Sequence, residues 1–286
     1  MKPFYRVLDF ILYSNLFIGV SALALTFTNT LTVEGSIHLN RSSWFIFFAT
    51  IFMYSFFKFR DKDEPVFENS KPNWVAKNKQ LARNILLISF IATAGFFIML
   101  SHEKKIMVAV LAALTFIYAF VPIPFIASKL KLRDIGWVRT IFIGIVWSIL
   151  TVAVPLANCH IENGMFVFLL LRRLLFIIGL TMVFEIKDMN DEGSHRIQTL
   201  PMLIGVTNTK LLAQLVLFTL MAIIAIQYFF FDISFFNMAG NNLSLLISIL
   251  CIQPVNEETP EIWYYLVLDG MMILQFVLVY AASKFY

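Results

Sequence analysis

Phe184-Glu185-Ile186-Lys187-Asp188-Met189-Asn190-Asp191-Glu192-Gly193 closes one of the longest apolar runs of the chain. At about 100° per residue, Glu185, Asp188 and Glu192 fall within roughly 60° of one another on a helix, while Asp191 points away. Carboxylates gathered on one face repel each other unless a cation sits among them. Hard oxygen ligands facing a watery cleft suit Mg²⁺ shared with phosphate groups. The alternative reading of the same residues is a solvated acidic loop at a membrane surface.

The rest of the chain decides where this stretch lives. Of 286 residues, 59% are hydrophobic and only 14% charged, and the mean hydropathy is +0.80, which excludes an ordinary soluble domain. Apolar runs of about 20 residues, long enough to cross a hydrocarbon core of roughly 30 Å, recur along the whole chain. About nine are expected, near 9–30, 43–59, 83–100, 106–123, 138–157, 165–187, 211–231, 242–253 and 262–282, the eighth being short. Nothing alternates at a period of two as a β-barrel requires, and spans of this length satisfy their backbone groups as helices. The expected class is therefore an all-α polytopic membrane protein.

With the N-terminus inside, sixteen of the 22 Lys and Arg residues fall in inner segments. The positive-inside rule then places the N-terminus and the acidic stretch in the cytoplasm, at a bacterial inner membrane, with the C-terminus outside. The formal charge of +4 and pI near 9.0 reflect these loops and do not point to nucleic acid. Lys2, Arg6 and Ala22-Leu23-Ala24 resemble a cleavable signal peptide, but the apolar run continues to about Thr30 and similar spans follow, so a retained first span is expected. Cys159 and Cys251 lie at the ends of different spans and receive no role.

A single helical domain over 1–286 is expected, its inner loops 58–83, 128–139 and 188–210 capping one cleft. Asn73-Trp74-Val75 after Pro72, and Thr199-Leu200-Pro201, read as helix starts and predict short interfacial helices in the first and last of these loops.

The run from Phe184 to Gly205 resembles the second aspartate-rich motif of the UbiA superfamily of intramembrane prenyltransferases. An acid, a second three residues on, a third four residues later, then Thr-Leu-Pro and a glycine are the family's pattern. Here Glu185, Asp188, Glu192, Thr199, Leu200, Pro201 and Gly205 take those places. The motif follows the sixth expected span, as in that superfamily's nine-helix bundle. Tyr118, Pro122, the basic run Lys129 to Arg139 and Trp147 also look like the family. The resemblance implies Mg²⁺ held by Glu185, Asp188 and Glu192, and an isoprenyl diphosphate steadied by Lys131, Arg133 and Arg139. A lipophilic acceptor, such as a quinone precursor or another isoprenoid, would capture the allylic cation. Those three basic residues serve equally well as topology anchors.

The chain departs from the family at the first motif, expected at the end of the second span, where it reads Tyr54-Ser-Phe-Phe-Lys-Phe-Arg-Asp-Lys-Asp-Glu64. If Asp61 is the last acid, Phe57 and Tyr54 stand where the others belong. A shifted register gives Asp61, Glu64 and Glu68, interrupted by Pro65, a residue that breaks a helix interior. Asp61 and Glu64 are the candidate metal ligands from this region. In the second motif Glu192 replaces the usual aspartate, and Arg196 and Gln198 stand where Gly and a basic residue are frequent. Two functions follow: a variant Mg²⁺-dependent membrane prenyltransferase, or a protein of the same fold without its chemistry, serving as an assembly subunit or a lipid or quinone binder. A secondary transporter is disfavoured because no repeated halves with paired broken helices are legible.

Other polar residues fall within apolar runs. Asp269 beside Gly270 is a costly acid that either binds a ligand or hydrogen-bonds a neighbouring helix. Asn15 in the first span carries the same two readings. Arg172 and Arg173, thirteen residues before Glu185 and so roughly 20 Å away, are expected to snorkel to the outer interface. His160 and His195 lack a second ligand at metal spacing and are read as loop residues.

Overall fold

The computed structural model describes residues 3–60, 71–122, 131–190, 199–231 and 233–285. Its described residues form helices joined by short turns: α1 Pro3–Tyr13, α2 Leu16–Glu34, α3 Arg41–Arg60, α4 Lys71–Lys77, α5 Lys79–Ile98, α6 His102–Phe120, α7 Gly136–Ser148, α8 Val154–Leu156, α9 Asn163–Lys187, α10 Leu200–Ile204, α11 Val206–Phe230, α12 Phe235–Ile252 and α13 Gly270–Ala282. A π-helical turn, Ile149–Ala153, joins α7 to α8 in one continuous rod, and a second, Trp263–Leu268, leads into α13. Eight helices are long and apolar enough to cross a membrane. The remaining long helix, α6, carries Glu103, Lys104 and Lys105 in its opening turn.

Helices α7, α9, α11, α12, α13 and α2 pack in succession, and α2 returns to the π turn after α7, so they enclose a common core. Helix α3 lies between α2 and α5. The core is apolar where three or more of these helices meet, around Phe176, Leu180, Leu217, Leu245, Ile252 and Leu268. Apolar residues also cover the outside: Leu87, Ile88, Phe90 and Ile91 of α5 are all exposed. Large apolar side chains on both the inner and outer face mark a helix embedded in lipid.

Two corrections to the expected spans have clear physical causes. The first run does not form one helix from residue 9: α1 ends at Tyr13, and Asn15 adopts φ 66°, a left-handed conformation that asparagine tolerates better than most residues. Its side chain donates to Ser55 Oγ at 2.9 Å, pinning the break between α1 and α2 to α3. Arg172 and Arg173 do not snorkel either, being only 7% and 4% exposed. Arg173 shares the inward face of α9 with Leu169, Phe176 and Leu180, and the helices opposite supply acceptors. Arg172 donates to Gln227 Oε1 at 2.7 Å, and Arg173 donates to Gln275 Oε1, Leu25 O and Asn29 Oδ1 at 3.1, 3.0 and 3.4 Å.

The same economy of hydrogen bonds governs the rod from α7 to α8. Pro155 has no N–H for the carbonyl four residues back, Thr151 O, and Asn29 Nδ2 donates to it instead at 3.0 Å. The short helices α4 and α10 fall where the helix-start signals stand, with Pro201 in the first turn of α10. Helices α12 and α13 approach so closely that a Cβ on Gly240 would sit 3.0 Å from Leu278 O and 3.2 Å from Val279 Cα. Gly240→Val therefore has to push two backbones apart. It is expected to cost about 2 kcal/mol, visible as a lowered midpoint in thermal unfolding of the purified protein in detergent.

Candidate active site

The acidic stretch does not continue as one helix. The α-helical ladder of α9 stops at Lys187, and Asp188–Asn190 forms a tighter 3₁₀ turn. The face on which Glu185, Asp188 and Glu192 were expected to climb two turns is therefore broken after its first acid. Glu192, with Asp61 and Glu64, lies outside the described residues.

Glu185 is fully buried, and both of its oxygens are engaged. Oε1 accepts from Thr140 Oγ1 at 2.6 Å and lies 3.8 Å from Arg139 Nη2, while Oε2 accepts from the Leu200 backbone N–H at 2.7 Å. The carboxylate thus joins three pieces of chain: α7 through Thr140, its own helix, and the first turn of α10, whose N-terminal N–H groups favour a negative partner. Glu185 sits behind the site and ties its walls together.

Asp188 faces the cavity between two cations. Arg139 Nη2 lies 2.8 Å from its Oδ2 and Lys187 Nζ 3.2 Å from its Oδ1. Lys187 also reaches Glu261 Oε1 at 3.8 Å and lies over the Tyr265 ring, which links the end of α9 to the start of the last span. Burial pushes the Asp188 carboxyl up, but Lys187 and Arg139 outweigh it and hold the group below the usual carboxylate range.

These groups open onto a cavity of about 270 Å³. Lys58, Arg139, Lys187 and Asp188 line one end. Phe17, Ile18, Ile143, Ile177, Leu180 and Met272 supply apolar wall, and Tyr54, Trp147 and Asp269 supply polar groups. Of the basic residues expected near a diphosphate, the structure brings only Arg139 to this cavity. Arg133 lies over Phe57, a wall residue, 6.0 Å from the ring centroid and 3.7 Å from Asp134. Lys131 pairs with Pro122 through its backbone and donates its N–H to Asp134 Oδ2 at 2.9 Å, closing the base of the loop between α6 and α7.

Lys58 and Lys187 line the cavity although sequence reading gave them only to membrane topology. Lys58 is one turn from Tyr54 and adjacent to Phe57, so it is a basic residue standing where the family's first motif carries acids. Its position between two departures was the available signal. Asn15 and His160 are not among the cavity's lining residues, and His195 lies outside the described residues.

No protein-family model and no curated protein matches this sequence. The fold itself is known. A solved structure of digeranylgeranylglyceryl phosphate synthase is similar with a TM-score of 0.56 at 13% identity, covering 96% of this chain and 97% of that one. The apo structure of a UbiA homolog from Aeropyrum pernix K1 is similar with a TM-score of 0.50 at 13% identity, covering 97% and 95%.

The chain has the UbiA fold.

The likeness is one of architecture and runs almost from end to end. Together with the eight apolar helices, it makes this UbiA-fold chain an integral membrane protein. It also puts the acidic run that follows α9 in a prenyltransferase-type bundle, as its resemblance to the second motif implies.

Two consequences of the ion network can be measured. Glu185→Ala strands the Thr140 hydroxyl and the Leu200 N–H inside the bundle, and the loss is expected to be about 3 kcal/mol of stability in detergent unfolding. The depressed Asp188 carboxyl contributes stability that is complete above its unfolded value near pH ~4 and is lost as pH falls through the lower folded value. The wild-type melting temperature should exceed that of Asp188→Asn by a constant margin from about pH 5 to pH 8, and the margin should close below about pH 4. A margin that persists at pH ~3 would show that charge is not its source.

Proposed function

We propose that this protein is a membrane prenyltransferase that moves an isoprenyl group from an isoprenyl diphosphate to a lipophilic acceptor, in a bacterial inner membrane with the acidic motif on the cytoplasmic side. The observation that carries this reading is the cavity, where Lys58, Arg139 and Lys187 meet an apolar wall within a UbiA fold. An amphiphile with a polyanionic head and a hydrocarbon tail matches both halves.

In the reaction the bond between the allylic carbon and the diphosphate oxygen breaks, and the diphosphate leaves with the electron pair. The acceptor then forms a bond to the allylic carbon and gives up a proton. Negative charge grows on the leaving group, and fixed guanidinium and ammonium groups in a poorly solvated site stabilise it. Apolar walls keep water from the allylic cation, which water would otherwise capture. The loops 58–83, 128–139 and 188–210 cap this end in the same reading.

Mg²⁺ belongs to the reading through Asp188 with Glu192, Asp61 and Glu64. Among the described residues, no three His, Cys, Asp or Glu side chains are grouped to hold a metal ion. The oxygens of Asp188 already face two cations and those of Glu185 are saturated. The described donors do not fit a divalent ion by themselves, and the charge stabilisation above is assigned to Arg139, Lys187 and Lys58 alone. This pre-neutralised acid also favours a second reading, a UbiA-fold protein without the chemistry that binds a lipid or quinone or serves as an assembly subunit.

Binding of geranylgeranyl thiolodiphosphate, which resists hydrolysis, to the purified full chain in nanodiscs separates the two. Arg139→Ala is expected to weaken binding about tenfold or more with or without Mg²⁺, since a charge-assisted contact to phosphate is removed. In EDTA, Asp188→Asn should tighten binding about threefold, because it releases Arg139 and Lys187 to the ligand. With Mg²⁺ the same substitution should weaken it about tenfold. Indifference to both substitutions and to Mg²⁺ would favour the non-catalytic protein.

A further inference from the structure

The two ends of the cavity differ in chemistry. Lys58, Arg139, Lys187 and Asp188 hold one end. Trp147 lies eight residues beyond Arg139 on the same helix, so roughly 12 Å further in. Asp269 lies eight residues beyond Glu261, also roughly 12 Å from the ion network. Tyr54 joins them from α3, with the Trp147 indole N–H directed to its hydroxyl and Asp269 close enough to act on it electrostatically. No Lys or Arg lines this deeper end.

The fold positions Asp269 with some care. The helix widens to a π turn over Trp263–Leu268, and the Asp269 N–H bonds back to Tyr264 O, five residues earlier, at 3.1 Å. Such insertions re-aim the residues that follow them. Ser21 Oγ of α2 then donates to the Asp269 carbonyl at 3.2 Å and fixes the backbone there. The residue is 8% exposed and borders the cavity. An acid kept inside a membrane bundle is costly, and an acid with no role in a ligand site could have been replaced by the apolar residues around it.

We propose, building on the prenyl-transfer reading, that Tyr54, Trp147 and Asp269 form the acceptor subsite, and that Asp269 makes it selective for an uncharged, hydroxyl-bearing acceptor. A hydroxyl can donate to the carboxyl and accept from the phenol at once. A carboxylate or phosphate head would meet an acid in a weakly screened setting without any cation to offset it, and like-charge contact is an effective means of rejection. The cations that could receive an anionic head stand at the other end, where the donor's diphosphate would hold them.

Equilibrium dialysis of the full chain in nanodiscs, with empty nanodiscs as blank, compares 1-naphthol with 1-hydroxy-2-naphthoate. Wild type should bind the naphthol about tenfold or more tighter, and Asp269→Asn should narrow the ratio to about threefold or less by tightening the naphthoate. A wild type without this preference, or an Asp269→Asn protein that keeps it, would overturn the subsite. If Asp269→Asn does not fold, Tyr54→Phe decides: a loss of about fivefold for naphthol supports the subsite, and no loss overturns it. Parallel titration with geranylgeranyl thiolodiphosphate keeps the two proposals apart. Selectivity present without donor binding leaves the uncharged-ligand site standing and removes prenyl transfer; donor binding without selectivity removes only the subsite.

Discussion

The paired charges at the end of α9 are the constraint on which the remainder of the molecule depends. Arg139, Asp188, Lys187 and Glu261 alternate in sign from α7 across α9 to the start of the last span, and Glu185 sits beneath them with every oxygen occupied. Charges at the edge of a low-dielectric bundle are stable only when paired and hydrogen-bonded, so each side chain restricts where its partner's helix can lie. The result is a rigid polar rim around an apolar cavity. Removing any member leaves an opposite charge uncompensated, which couples the geometry of the site to the stability of the fold.

A second polar layer lies far from the first. Arg172, Arg173, Gln227, Gln275 and Asn29 exchange hydrogen bonds between α9, α11, α13 and α2 without a carboxylate in their printed contacts. Thr32, Asn237 and Asn241 extend polar contacts between α2 and α12. In lipid, apolar side chains give little preference for one helix neighbour over another, and polar pairs and small residues such as Gly240 set the partners. The bundle is therefore pinned at two levels, with the cavity opening from one of them. Asp269 belongs to neither layer, which is why its place in the cavity wall bears on ligand choice.

The membrane class, the approximate span positions and the motif's place after α9 were legible because they rest on local composition. A run of about 20 apolar residues has essentially one stable form in a bilayer, whatever its neighbours. Proline at the start of α10 was legible for the same reason, since its restricted φ and missing N–H act within one turn. The break at Asn15 was not legible, because a left-handed asparagine needs Ser55 from another helix to hold it. The arginines of α9 were misplaced for a related reason: snorkelling is the default for a lone cation, and Gln227 and Gln275 are 55 and 102 residues away in sequence. Nothing local announces them.

The acidic stretch shows the same division most sharply. Its amino acids alone marked Glu185 and Asp188 as chemically significant and tied them to a family fold. Periodicity assigned both to one face and one task. Tertiary contacts separate them: Thr140 and Leu200 enclose Glu185, while Asp188, past the end of the α-helix, meets Arg139 and Lys187 at the cavity. Composition and short-range patterning settle which segments enter the membrane, because burial in lipid is decided segment by segment. Which carboxylate becomes a brace and which faces a ligand depends on partners brought together from distant parts of the chain, and only the packed bundle supplies them.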